Sequence, residues 1–290
     1  MHFPESELIL NKDGSVYHLN LHPNQISDTI ITVGDPDRVP QITKYFDKIY
    51  DQVQKREFHT TTGAYNNKRI TVISTGIGTD NIDIVLNELD ALVNIDIKTR
   101  KLKEKQTSLN LIRIGTSGAI QPDIKVNSFL LTETAIGLDA LLPFYKESTI
   151  EDASLFQSLQ NHFIKNQFTI PFYMSEANKA LVMRFEDSQL IKGVTLTNPG
   201  FYAPQGRALR LPLRFPNFNQ MIRDFTFKSQ KITNLEMETA GIYGLANLLG
   251  HRAISLNAIL ANRATHTFSK HPDKTIEALI VFALEKISNL

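Results

Sequence analysis

Six short apolar runs, each closed by glycine or another turn residue, constrain this chain more than any other feature. They are TIITVGDPDR, RITVISTGIG, LNLIRIGTSG, SFLLTETAIG, KGVTLTNPG and AISLNAILANR. Their Ile, Val, Leu and Thr content is that of strands buried on both faces. Helical periodicity lies between several of them. Ile82, Val85, Leu86, Leu89 and Val93 fall on one face of a helix, with Asp83, Asn87 and Asp90 opposite. Thr79 or Asp80 is expected to cap its start. ETAGIYGLANLLG reads as a helix stopped by Gly250, and Ile276, Leu279, Ile280, Ala283, Leu284 and Ile287 mark an amphipathic helix near the end. Strands alternating with helices predict an α/β architecture whose largely parallel sheet is covered on both faces.

The chain is read as a single domain over residues 1–290. Residues 98–108, KTRKLKEKQTS, are charged and lack an apolar stripe. They read as an exposed insertion, either a loop or a helix extension. The stretch from about 140 to 230 is richer in proline and aromatics and weaker in period, and is expected to form site walls and subunit contacts. A formal net charge of +1 gives no global attraction to nucleic acid or membrane. With no cysteine there are no disulfides, thiolate nucleophiles or cysteine-bound metals. No basic segment followed by an apolar one opens the sequence, and no window of about 18 apolar residues occurs. A cytoplasmic, membrane-free protein is expected. The eight histidines show no metal-ligand spacing.

In α/β sheets, ligands sit beyond the carboxyl ends of strands. Gly34, Asp35 and Arg38 stand at one such exit, and Arg113 stands beside Gly115, Thr116, Ser117 and Gly118 at another. Glycine permits close approach of backbone N–H groups, and arginine pairs bidentately with oxyanions, so the two exits suit an anion such as phosphate. The P-loop and dinucleotide-binding glycine patterns are absent, as is the hydrolase G-x-S-x-G. Each residue also has a plainer reading. Arg38 could be a surface helix residue, and Arg113 could pair with a core carboxylate such as Glu133 or Glu238. Glu236-Met237-Glu238 could be the acidic first turn of a helix, and Phe201-Tyr202 could be core.

In order along the chain, VYHLNL (16–21), TVGDPDRV, STGIG, LIRIGTSGAIQP, FYAPQGR (201–207), NLEMETA (234–240) and NAILANR (257–263) resemble the nucleoside phosphorylase family, most closely its uridine phosphorylase branch. The resemblance covers nearly the whole chain. It implies an α/β fold with a central mixed, partly barrel-like sheet flanked by helices. It also implies phosphorolysis of uridine to uracil and ribose 1-phosphate, with inorganic phosphate as co-substrate and no cofactor. By the same resemblance Gly34, Arg38, Arg113 and Thr116 would hold phosphate, joined by Arg56 from a neighbouring subunit. Met237 and Glu238 would hold ribose, with His18 reaching across from the partner. Phe201, Gln205 and Arg207 would receive the base beside Ser117 and Gly118. Arg113, Arg207 and Glu238 would be the catalytic residues.

A homodimer, or a hexamer built as a trimer of dimers, follows from the resemblance, and Glu57 and Ser74 resemble positions that hold a monovalent cation such as K+ at the dimer interface in some members. Purine-specific relatives place an Asp near Asn262, where this chain has Ala261-Asn262-Arg263. A purine nucleoside phosphorylase, a nucleosidase using water, and a non-catalytic nucleoside-binding protein are the alternatives. Thr79-Asp80-Asn81, Ala208-Leu209 and Asn127-Ser128 depart from the branch's pattern. Asp80 is expected to turn away from the phosphate, and Asn127 to serve a structural turn.

Overall fold

A computed structural model describes residues 2–146 and 153–290. Its strands are β1 (Thr29–Val33), β2 (Lys48–Lys55), β3 (Phe58–Tyr65), β4 (Lys68–Ser74), β5 (Ile95–Asp96), β6 (Lys101–Leu102), β7 (Asn110–Ala119), β8 (Phe129–Gly137), β9 (Tyr173–Glu176), β10 (Leu190–Thr197), β11 (Thr226–Phe227), β12 (Gln230–Glu236), β13 (Arg252–Asn262) and β14 (Thr267–Phe268). The helices are α1 (Arg38–Thr43), α2 (Thr79–Asn94), α3 (Ala153–Lys165), α4 (Lys179–Phe185), α5 (Phe218–Asp224), α6 (Thr239–Leu249) and α7 (Pro272–Ser288). All six apolar runs are strands.

One mixed sheet organises the molecule. β1 lies parallel to β4 and β7, and the sheet continues from β4 through antiparallel β3 to β2 at its edge. On the other side β7 runs parallel to β13, β13 antiparallel to β8, and β8 parallel to β10, which is parallel to β12. β12 then returns to β7 through the antiparallel pairs Asn234–Ala119 and Leu235–Gly118. This pairing closes β7, β13, β8, β10 and β12 into a five-stranded barrel, with β1, β4, β3 and β2 as an open arm. The partly barrel-like mixed sheet implied by the resemblance is therefore present, and the largely parallel sheet is corrected to a mixed one.

Consecutive residues of the central strands enter opposite cores. Ile30 and Leu111 pack with α2 and α6, while Ile31 and Ile112 pack with α1, α4 and α7. This is why those strands read as continuous apolar runs. A third core lays the aromatic residues of α3 and α5 onto β10 and β12. The stretch 140–230 thus packs on the barrel; residues 147–152 of it lie outside the described residues.

Three local expectations change. The N-cap of α2 is Gly78, with no side-chain cap, so neither Thr79 nor Asp80 fills that role; Asp80 is exposed and outside the site, as expected. The segment around 98–108 is exposed, but it is neither a plain loop nor a helix extension. β5 and β6 pair as a hairpin with Arg100 at φ 55°, and the turn docks the N-terminal segment through Phe3 N–H donating to Arg100 O at 2.9 Å. Asn127, at φ 69°, accepts from Ser269 Oγ and Thr275 Oγ1 through its Oδ1. That matches its structural reading, since Asn tolerates the left-handed region. Among the described residues no helix is long and apolar enough to cross a membrane.

Candidate active site

A cleft of about 560 Å³ opens beyond the carboxyl ends of β1 and β12 and along the second half of β7. Of the residues singled out from the sequence, Gly34, Arg38, Arg113, Thr116, Ser117, Gly118, Phe201, Gln205, Arg207, Met237 and Glu238 line it. Six separate elements and loops converge there.

Arg113 leaves β7 and folds back over Gly115. A Cβ on Gly115 would stand 1.8 Å from Arg113 Nη1, so only glycine leaves room for the guanidinium. The plainer reading of Arg113, a pairing with a core carboxylate, is realised with Glu238 and not with Glu133. Glu133 faces Lys192 at 3.6 Å instead, but Arg113 Nη2 donates to Glu238 Oε2 at 2.6 Å and lies 3.2 Å from Glu236 Oε2. Nη1 donates to Asn257 Oδ1 at 3.0 Å. Burial opposes its charge, yet the two glutamates hold its pKa above the ordinary arginine value. Burial likewise pushes Glu238 up against the pull of Arg113.

Glu236 and Glu238 have different duties. Glu236 Oε2 accepts from the backbone N–H groups of Glu238 and Thr239, both at 2.9 Å, and from Thr239 Oγ1. It therefore satisfies the start of α6. The acidic first-turn reading is corrected: Glu236 ends β12 and acts from outside the helix, and the first turn of α6 carries no acidic residue. Glu238 is the N-cap residue, and its Oε1 accepts from Gly78 N–H at 2.9 Å, joining the β4–α2 loop to the site. Arg38, beside Arg113, is partly buried and lines the cleft; burial and the neighbouring guanidinium push its pKa down, opposed by Asp35 and Glu238. It is not a surface helix residue.

A second polar group lies in the loop after β10. Arg207 Nη1 donates to Gln205 Oε1 at 2.7 Å and to Phe201 O at 2.6 Å, and its guanidinium lies 3.9 Å from the Phe201 ring centroid. Burial and nearby Arg263 push its pKa down to about 10, which leaves it cationic at neutral pH. Gln205 is 3% exposed, whereas Phe201 is 52% exposed and so is a wall of the cleft, not core. Arg263 braces this loop, its Nη1 donating to Gln205 O at 3.1 Å.

Arg56, His18, Glu57 and Ser74 do not line the cleft. Arg56 is exposed at the β2–β3 turn, 5.9 Å from the Tyr17 ring. His18 Nδ1 lies 2.6 Å from Glu88 Oε1. Ser74 Oγ donates to Glu57 O at 2.6 Å and accepts from His59 N–H at 2.7 Å.

The family model described as the phosphorylase superfamily matches residues 28–284. The chain belongs to the phosphorylase superfamily. Among similar members, a uridine phosphorylase of Thermococcus kodakarensis is 30% identical over 96% of this chain and 88% of its own. A DeoD-type purine nucleoside phosphorylase of Listeria monocytogenes is 26% identical over 92% of this chain and 97% of its own. In structure, a Trypanosoma brucei nucleoside phosphorylase, described as showing uridine phosphorylase activity, superposes with a TM-score of 0.89 at 28% identity, covering 98% of this chain and all of that one (100%).

Some site residues of this phosphorylase-superfamily chain escaped the sequence reading. Asn257, Arg263 and the helix-start role of Glu236 are set by contacts between residues far apart in the chain. No local spacing signals them. Asn262, near which purine-specific relatives are expected to carry an Asp, is buried and turned inward. Its Nδ2 donates to Gln121 O and Ile124 O, and its Oδ1 accepts from Ala264 and Thr265 N–H.

Proposed function

We propose that this chain catalyses phosphorolysis of pyrimidine nucleosides: uridine plus phosphate gives uracil plus ribose 1-phosphate. The observation that carries the proposal is one cleft with two chemically distinct ends. Arg38, Arg113, Gly34 and Thr116 form a cationic, hydroxyl-bearing end suited to phosphate. Gln205, Arg207 and Phe201 form an end suited to a flat ring with carbonyl groups. Glu238 and Met237 lie between, where a ribose would sit.

Phosphate is already anionic, so no side chain needs activation as nucleophile. The protein holds it beneath the anomeric carbon, mainly a proximity contribution. A phosphate oxygen bonds to that carbon as the bond to the base nitrogen breaks, and the bonding pair leaves with the base. Positive charge grows on the ribose beside phosphate and Glu238. Negative charge grows on the base beside Arg207, a preorganised cationic donor. Gln205 Oε1 keeps a second lone pair for a ring N–H after accepting from Arg207, and its amide N–H groups suit a ring carbonyl. The inward-turned Asn262 leaves no acid at that strand end for protonating a purine.

A homodimer completes the reading, with Arg56 and His18 placed at the partner's cleft, since both lie on the outside of their own. A monovalent cation beside Glu57 and Ser74 and a cytoplasmic location belong to the same proposal. The test is uracil release from uridine with and without phosphate, alongside inosine and thymidine. Phosphate-dependent release of uracil is expected. Release without phosphate would mean hydrolysis, and cleavage of inosine alone would overturn the roles of Gln205 and Arg207.

A further inference from the structure

A chain of hydrogen bonds crosses the interior of the barrel and ends in the cleft. Thr132 Oγ1 on β8 bonds Thr195 Oγ1 on β10 at 2.6 Å. Thr195 donates to Asn234 Oδ1 on β12 at 2.8 Å. Asn234 Nδ2 donates to Ser117 Oγ on β7 at 2.9 Å. Thr132, Thr195 and Asn234 are fully buried, and Ser117 is 8% exposed and lines the cleft. Four of the five barrel strands contribute one residue each. Such a network in a core is costly unless its members are satisfied.

The direction of donation has a consequence at Ser117. A hydroxyl has one proton and two lone pairs. Asn234 occupies a lone pair, so the Ser117 proton remains to be donated, and among the described residues it has no acceptor. Ser117 lines the cleft beside Gly118, within reach of a ligand acceptor. We propose that Asn234 is a positioning residue that fixes Ser117 as a hydrogen-bond donor to an acceptor atom of the nucleoside base. The inference rests on the base site described under Proposed function. The base gains negative charge as the glycosidic bond breaks, so a fixed donor there strengthens in the transition state.

The experiment is a double-mutant cycle with Ser117→Ala, Asn234→Ala and both together. Uridine kcat/KM, KM for phosphate and thermal melting are measured for each. Either single change is expected to lower uridine kcat/KM about 10-fold, the scale of one neutral hydrogen bond, with KM for phosphate unchanged. The double variant is expected to be no worse than the poorer single one. A multiplicative, roughly 100-fold loss in the double variant would show that Asn234 acts independently of Ser117, and would overturn the proposal. So would full activity of Ser117→Ala, or a KM for phosphate that rises in step with the loss. If Asn234→Ala fails to fold, Asn234→Ser, which keeps a polar group in the network, takes its place in the cycle. A wild-type protein that leaves uridine intact would fail the functional reading itself, a separate result from any of these.

Discussion

Gly115→Ala tests the site through a residue that does not line the cleft. The added Cβ would lie 1.8 Å from Arg113 Nη1, 2.4 Å from Cζ and 2.8 Å from Nη2, against an ordinary contact of 3.4 Å or more. Nη1 must therefore retreat by about 1.6 Å (3.4 − 1.8). A movement of that size breaks the 3.0 Å bond to Asn257 and disturbs the 2.6 Å bond to Glu238. Breaking a buried ion pair by displacing one partner costs about 3 kcal/mol or more. Misplacing a positioning group by an ångström or so lowers turnover about 100-fold. The expected result is a raised KM for phosphate, a kcat/KM for uridine down about 100-fold, and a lower denaturation midpoint. Gly118→Ala is the control for stability, because its Cβ would meet its nearest neighbours at an ordinary 3.8 to 4.0 Å. A Gly115→Ala protein with wild-type kinetics and unchanged midpoint would refute the argument that this glycine seats Arg113.

Further outcomes follow from the same contacts. Arg207→Ala should lower uridine turnover about 100-fold, the scale of one lost charge-stabilising donor, while KM for phosphate stays near wild type; equal effects on both would remove Arg207 from the base end. Glu236→Gln keeps an acceptor at the start of α6 but removes one carboxylate from Arg113, and should cost about 1 kcal/mol in chemical denaturation, the difference between a charged and a neutral hydrogen bond; an unchanged midpoint would mean the charge contributes nothing. Asp139 is partly buried, and burial raises its pKa despite bonds from Tyr173 Oη and Leu141 N–H. A raised carboxyl binds its proton more tightly folded than unfolded, so its contribution to stability falls as pH rises through the folded value. Asp139→Asn should remove that fall, and denaturation midpoints measured from pH 4 to 8 would reveal it; an identical pH profile in the two proteins would contradict the assignment.

The six central strands, α2, α6 and α7 were legible because each carries its burial pattern locally. β2, with charged residues on an exposed edge, and β12, a short run ending in Glu236, carry no such pattern. Barrel closure rests on β12 meeting β7, a pairing of segments more than a hundred residues apart that no local period encodes. The site shows the same division. Gly34, Arg38 and the Arg113–Gly118 segment announced themselves by residue type at strand exits. The partner of Arg113 did not, since Glu133 and Glu238 are equivalent on paper and only the fold brings Glu238 to it. Asn234 opened the NLEMETA segment with no role of its own, because its importance lies in what its amide faces across the barrel.

The path of β7 has a consequence of its own. β13 pairs with β7 along its whole length, but on the other edge β1 pairs only as far as Arg113 and β12 only from Gly118. The stretch Ile114–Ser117 therefore stands in a gap between the open arm and the barrel, with a strand partner on one edge only. Thr116 and Ser117 line the cleft from that stretch. The split between arm and barrel thus makes the opening, so the place where a ligand can reach the main chain is set by topology before any side chain makes a contact.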